Sequence, residues 1–225
     1  MTEILECREV AKDYGDQLGL NATNLTIGPG ELLLLVGPNG AGKSTFLGLC
    51  AGLLEPTGGE VLVAGAEVGS QAARAATSVI PDSPVLYDDL SVWEHAQYVA
   101  RLHQVDDWEP LAHELLDRLG LAERRDDLPS KFSRGLRQKT SLLLGLLRPA
   151  ELLLVDEPFV GLDAPGQSTL VELLDEVVAA GVTVVVSSHQ LDLADRATRC
   201  VGLRDGEVVH DGEASRAVVQ RLTGG

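Results

Sequence analysis

The sequence predicts an α/β fold, a parallel sheet with helices on its faces and a helical lobe inserted into it. Three observations predict it. Short, nearly unbroken apolar runs alternate with longer helical stretches, as expected of strands buried on both faces and joined by helices. A glycine-rich turn from Gly37 to Thr45 follows one apolar run and opens a helix. Between about Asp82 and Leu147 the pattern becomes helical, with no strong strand.

The expected strands are Leu32 to Val36, Leu152 to Val155 and Val182 to Ser187. The inserted lobe should contain helices around Val92 to Leu102, Leu111 to Leu119 and Gly135 to Leu147. After Leu203, the stretch RDGEVVHDGEASRAV reads as a short hairpin and a terminal helix. With 225 residues, 44% of them hydrophobic, the chain suffices for one sizeable domain. The expectation is a single domain over residues 1–225, with its core at about 1–81 and 148–225 and its helical subdomain at about 82–147. No internal repeat or low-complexity segment is visible, and no room is left for a regulatory domain.

Charge and composition narrow the function. A formal net charge of −16 argues against a general nucleic-acid binder, because affinity for phosphate backbones comes mainly from Lys and Arg. The charged N-terminal stretch MTEILECREVAKDYG does not read as a signal peptide, and no apolar run approaches the roughly 18 residues of a membrane span. Cys7, Cys50 and Cys200 are odd in number and lack metal-ligand spacing, so they read as reduced thiols of a cytosolic protein.

The segment Gly37-Pro38-Asn39-Gly40-Ala41-Gly42-Lys43-Ser44-Thr45 fits the phosphate-loop pattern of two glycines, a lysine and a hydroxyl residue, and its strand-to-helix context supports the match. Glycines let backbone N–H groups wrap phosphate oxygens, and the helix N-terminus adds positive potential. Lys43 would reach the terminal phosphates and Ser44 would ligate Mg²⁺. This pattern alone leaves kinases, GTPases, motors and transport ATPases open.

Further residues narrow the choice. The strand at Leu152 to Val155 ends in Asp156-Glu157-Pro158, where a parallel sheet presents ligands at its carboxyl edge. Asp156 can hold Mg²⁺ through water, and Glu157 can take a proton from an attacking water. His189, beyond the strand at Val182 to Ser187, can reach the γ-phosphate and that water. Taken singly, His189 and Tyr14 read as ordinary structural residues.

Upstream of the acidic strand lies Phe132-Ser133-Arg134-Gly135-Leu136-Arg137-Gln138, opening a helix. This stretch resembles the signature motif of ATP-binding-cassette (ABC) proteins, in the family's position. Gly161-Leu162-Asp163 and Ser188-His189 resemble the family's D-loop and switch histidine, in the expected order. Tyr14 matches its adenine-stacking aromatic. The resemblance implies a P-loop NTPase (RecA-like) core with an N-terminal antiparallel β portion and an inserted helical subdomain. It also implies ATP and Mg²⁺ as cofactors, with each ATP lying between the phosphate loop of one subunit and Ser133, Gly135 and Asp163 of another.

Three positions depart from the family pattern. Asp82, in Pro81-Asp82-Ser83-Pro84, stands where most members carry glutamine; it reads either as a further Mg²⁺ ligand or as a solvated loop carboxylate. The signature has Arg134 for its first glycine and Leu136 for its usual glutamine. Lys131, Arg134, Arg137 and Lys139 thus form a basic patch, facing a partner's nucleotide or only solvent.

The resemblance implies an ATP-hydrolysing subunit, homodimeric or paired with a related cassette, that powers a separate transmembrane permease from the inner face of the cell membrane. The loop around Asp82 and the signature look export-type. The alternatives are a non-transport ABC ATPase acting on ribosomes, DNA or protein assembly, and a nucleotide-binding scaffold that does not hydrolyse.

Overall fold

The computed structural model describes residues 3–224. In chain order it begins with β1 (Leu5–Asp13), β2 (Leu18–Ile27), β3 (Leu32–Val36), α1 (Lys43–Cys50), β4 (Gly58–Val63), β5 (Ala66–Glu67), α2 (Gln71–Ala76) and β6 (Thr77–Ile80). Three helices follow: α3 (Val92–Leu102), α4 (Trp108–Arg118) and α5 (Arg134–Leu147). The chain then runs through β7 (Leu152–Asp156), α6 (Ala164–Ala179), β8 (Thr183–Ser187), α7 (Leu191–Ala194), β9 (Arg199–Arg204), β10 (Glu207–Glu213) and α8 (Arg216–Thr223). These elements form two compact units. The first takes the residues up to Val79, Ala150–Asp156 and those from Leu174 onward; the second takes Ile80–Pro149 and Glu157–Leu173.

The first unit carries a six-stranded sheet in the order β10-β9-β3-β8-β7-β6. Strands β9, β3, β8 and β7 run parallel, and β10 closes one edge antiparallel to β9. Every residue of β3 (LLLLV) and of β8 (TVVVS) is buried, which explains why these strands show no polar alternation. Register sets the functional edge: Leu35 pairs with Ser187, and Ser187 with Asp156. The three strands therefore end nearly level, and the loops that follow them leave from one edge of the sheet.

A second sheet, in the order β2-β1-β4-β5, is antiparallel. Its strands alternate, with Leu5, Cys7 and Val10 buried in β1 while Arg8 and Glu9 are exposed. The same buried cluster holds Leu5, Leu20 and Ile27 from this sheet, Leu33 and Leu35 from β3, and Phe46, Leu49 and Cys50 from α1. Burial of each large apolar side chain contributes roughly 1.5–3 kcal/mol, so α1 is anchored along its length. Cys7, Cys50 and Cys200 are free and buried. Burial pushes the Cys50 thiol well up, and the nearby Cys7 adds to the shift.

The second unit is helical. Ser91 and Glu94 form a reciprocal capping box at the start of α3. His95 is buried with both ring nitrogens engaged: Nδ1 lies 2.8 Å from the Ser91 carbonyl oxygen, and Nε2 accepts the Tyr87 amide at 2.9 Å. Those bonds fit a structural histidine. Trp93 packs against Trp108 at 4.8 Å between ring centroids, with the Arg125 guanidinium 4.4 Å from its ring. Among the described residues, no helix is long and apolar enough to cross a membrane.

Candidate nucleotide site

The loop from Gly37 to Gly42 leaves β3 and turns into α1. Gly42 caps that helix at φ 103°, ψ 4°, a left-handed conformation open to glycine at little cost. A Cβ there would also meet the Gly19 carbonyl oxygen at 2.6 Å. Lys43 is buried, and its Nζ donates to the Gly37 carbonyl at 2.8 Å and the Pro38 carbonyl at 3.3 Å. Its ammonium is thus folded back along the loop, while the Ser44 side of the first turn is exposed. The tip of the β9–β10 hairpin braces the loop, since the Gly206 amide donates to the Ala41 carbonyl at 3.1 Å.

Around this loop the first unit gathers three more groups. Asp156, at the end of β7, accepts a hydrogen bond from the buried Ser187 hydroxyl at the end of β8. One carboxylate oxygen is thereby oriented by a neighbouring strand. Ser188 is tied to β3 through its amide, which donates to the Leu35 carbonyl at 3.2 Å, and the exposed His189 follows directly. Tyr14 is half exposed with its hydroxyl 3.5 Å from Thr45 Oγ1, and Lys12 Nζ lies 5.3 Å from its ring. A flat aromatic face thus stands at the rim of the phosphate loop.

Glu157 belongs to the second unit and is half-buried with φ 43°. A non-glycine residue in this region carries strain of order 1–2 kcal/mol. Such strain persists where surroundings hold it, commonly at functional positions.

The rest of the second unit's candidates form a cluster at the N-terminus of α5. Ser133 caps the helix, its Oγ accepting the Leu136 amide at 3.3 Å. A Cβ on Gly135 would collide with the carbonyl oxygen of Gly161, so the glycine is needed for the approach of these two backbones. Lys139 Nζ lies 3.4 Å from Asp163 Oδ1, and the Lys139 charge holds the Asp163 carboxyl below its usual range. Arg137 donates to the Pro129 carbonyl at 3.1 Å. Arg134 pairs with Asp82 at 3.0 Å. Three of the four cations in the expected basic patch therefore have partners within their own unit.

A family model described as "ABC transporter" matches residues 20–160. That match spans more than half of the chain and includes the phosphate loop, Asp82, the signature stretch and Asp156-Glu157. The chain belongs to the ABC transporter family.

This ABC protein is 32% identical over 212 residues to the SkfA peptide export ATP-binding protein SkfE of Bacillus subtilis (strain 168), covering 93% of this chain and 89% of the relative. It is 31% identical to the lantibiotic transport ATP-binding protein SrtF of Streptococcus pyogenes, covering 93% of this chain and 91% of the relative. The fold matches a solved ATP-binding subunit of an ABC transporter with a TM-score of 0.88 at 32% identity, covering 93% of this chain and 90% of the other. It also matches an ATP-binding cassette solved as a dimer in a post-hydrolysis state with ADP and Pi, with a TM-score of 0.84 at 25% identity, covering 93% and 98%. The chain is an ATP-binding ATPase of this family, with the α/β fold its sequence predicts.

The candidate residues fall into two sets. Gly37, Pro38, Asn39, Gly40, Ala41, Gly42, Lys43, Ser44 and Thr45 lie in one segment of the first unit, with Tyr14 beside Thr45, Asp156 at the end of β7 and His189 on the loop that leaves β8 at the same sheet edge. Asp82, Ser133, Gly135, Glu157 and Asp163 lie in the second unit. Sequence reading missed Ser187, which resembles any strand-end serine until register sets it beside Asp156. It also missed the brace from Gly206; the Asp-Gly pair there marks a turn but not what the turn touches. The Arg134–Asp82 pair joins residues 52 apart in sequence, and only their opposite charges hint at it.

Proposed function

We propose that this chain is the ATP-hydrolysing subunit of an export-type ABC transporter, driving a separate transmembrane permease. Two ATP-binding subunits close around two MgATP molecules, and release of products reopens them. The observation that carries this reading is the carboxyl edge of the sheet, where the phosphate loop, the Ser187-oriented Asp156 and the loop bearing His189 emerge level. Phosphate ligands belong at such an edge, beside a helix N-terminus.

Lys43 and the loop amides would hold the phosphates, and Tyr14 would stack on the adenine. The donors suit a hard cation: Mg²⁺ is bound by one or two protein oxygens together with phosphates and water, and the exposed Ser44 hydroxyl and the Asp156 carboxylate are of that kind. When bound, the metal neutralises charge on the phosphates. Glu157 takes the proton from the attacking water, and His189 holds the γ-phosphate and that water in line. Ser133, Gly135 and Asp163 are offered to the nucleotide of the other subunit, whose second copy is either identical or a related cassette.

The permease would dock on the second unit. Val85 is 94% exposed, with Tyr87, Tyr98 and Leu102 also exposed nearby in sequence. A shallow groove of about 500 Å³ is lined by Leu90, Glu94, Gln97, Tyr98, Arg101 and Leu102. An apolar surface with a polar margin suits a helix from a membrane partner. Export is favoured because the relatives are named for peptide export and lantibiotic transport. On this reading the protein works at the inner face of the cell membrane.

Glu157→Gln tests the mechanism. It should preserve ATP binding, trap a closed dimer and lower turnover by roughly 10²- to 10⁴-fold, the range for loss of a general base. Unchanged turnover would sink the role of Glu157. Purification from native membranes tests the partner: a multi-span membrane protein should accompany the chain, and a ribosomal or DNA-bound partner instead would overturn transport.

A further inference from the structure

The first turn of α5 holds Arg134 and Arg137 and no acidic residue, although a helix N-terminus favours anions and disfavours added cations. The missing negative charge comes from elsewhere in the chain. Asp82, in the loop after β6, places Oδ1 3.0 Å from Arg134 Nη2, a hydrogen-bonded ion pair. The pair is open to water, with the Arg134 side chain 59% exposed and that of Asp82 40% exposed. Exposed pairs of this kind are weak and screened, so a more highly charged anion can displace the carboxylate from the guanidinium.

We infer that Arg134 is a phosphate contact for the nucleotide held by the second subunit, and that Asp82 holds it in reserve until that nucleotide arrives. This rests on the dimer reading proposed above. Arg134 follows Ser133, the residue expected to face the partner's γ-phosphate, and a guanidinium can bind phosphate through two parallel N–H donors. The triphosphate competes with Asp82 for those donors. As Arg134 turns to the phosphate, Asp82 loses its counter-ion and the loop after β6 is released from α5. Nucleotide on one subunit would thus be sensed by the other subunit's loop at Asp82.

The inference predicts opposite effects from its two residues. In the full-length Glu157→Gln background, dimer formation is followed by light scattering as MgATP is raised. Asp82→Asn frees Arg134, so the midpoint should fall several-fold to lower ATP. Arg134→Gln removes the phosphate contact, so the midpoint should rise about 10-fold or more, the usual scale for a charged hydrogen bond. The double variant should match Arg134→Gln alone. The charge exchange Asp82→Arg with Arg134→Asp should also stay impaired, whereas a purely structural pair would be restored by it.

A midpoint that rises in Asp82→Asn, as loss of a metal ligand would cause, overturns the inference, as does equal weakening by both single variants or recovery in the exchange. If Glu157→Gln itself forms no dimer with MgATP, the proposed function fails instead. Circular dichroism of each variant, expected to match the parent, separates these outcomes from misfolding.

Discussion

The phosphate loop and the signature turn both open a helix, yet they are held in different ways. At the phosphate loop, Gly42 is wedged against the Gly19 carbonyl, Lys43 is buried against loop carbonyls, and the β9–β10 hairpin braces Ala41. At the signature turn, Gly135 lies against Gly161, but the charged residues form surface ion pairs, Arg134 with Asp82 and Lys139 with Asp163. Backbone packing and hydrogen bonds to main-chain carbonyls hold the first site. Exposed charge makes the second responsive to its surroundings. On the proposed dimer reading, the first site binds in its own subunit and gains from preorganisation, whereas the second is offered to another subunit and must exchange water and counter-ions for it.

The largest effect that would test this contrast lies at Ser187. Ser187→Ala removes the donor that orients Asp156; on the proposed Mg²⁺ role of Asp156, loss of such an outer partner lowers metal affinity or activity about 10- to 100-fold. Steady-state ATPase measured against Mg²⁺ concentration should reach half its maximum at a higher Mg²⁺ concentration or plateau lower, with ATP binding in the absence of Mg²⁺ unchanged. If turnover stays at the parent level across the titration, Asp156 is positioned by its strand alone.

Gly42→Ala tests the rigidity of the phosphate loop. The substitution meets both an unfavourable φ and the Gly19 carbonyl, so stability should fall by about 1–3 kcal/mol. Because the cause is steric, the loss should be the same in low salt and in 1 M salt. A salt-dependent loss would mean that charge also holds this loop.

The contrast also explains how much was legible in the sequence. Strands β3, β7 and β8 were visible because strands buried on both faces leave unbroken apolar runs. The phosphate loop was visible because each of its residue types has a local backbone or phosphate reason. The expected strand from Val182 begins instead at Thr183, a shift of one residue at a fraying end. The antiparallel strands β1, β2 and β4 were less legible because bulges and half-exposed positions interrupt their alternation: β1 loses register between Cys7 and Asp13. Pairings such as Asp156 with Ser187 or Asp82 with Arg134 depend on register and packing between distant segments, which local sequence does not encode.

A milder effect comes from the buried thiols of the first unit. Burial raises the Cys200 thiol from its ordinary 9.0 to about 11, so the folded state keeps its proton while the unfolded chain releases it. Its stabilising effect is complete below pH 9 and fades as pH rises toward about 11, a loss of about 2 kcal/mol across that window. Denaturant unfolding of the parent and of Cys200→Ala should lose stability at different rates over the same pH range. Parallel curves would show that Cys200 ionises as freely in the folded protein as outside it.

The smallest expected effect is at Lys139–Asp163, and it probes the signature side most directly. The Lys139 charge lowers the Asp163 carboxyl from its ordinary 3.8. The resulting stabilisation is present above that value and is lost as pH falls through the lower, folded value. The pair is exposed at Asp163, with 64% of that side chain accessible, so salt should screen it. Asp163→Asn should therefore shift the unfolding midpoint slightly at neutral pH and low salt, and not at all in 1 M salt or in acid below the folded value. Backbone amides of Asp163 and Gly166 also reach this carboxylate. A shift that survives 1 M salt would assign the hold on Asp163 to those amides, and the signature side would then be braced by backbone much as the phosphate loop is.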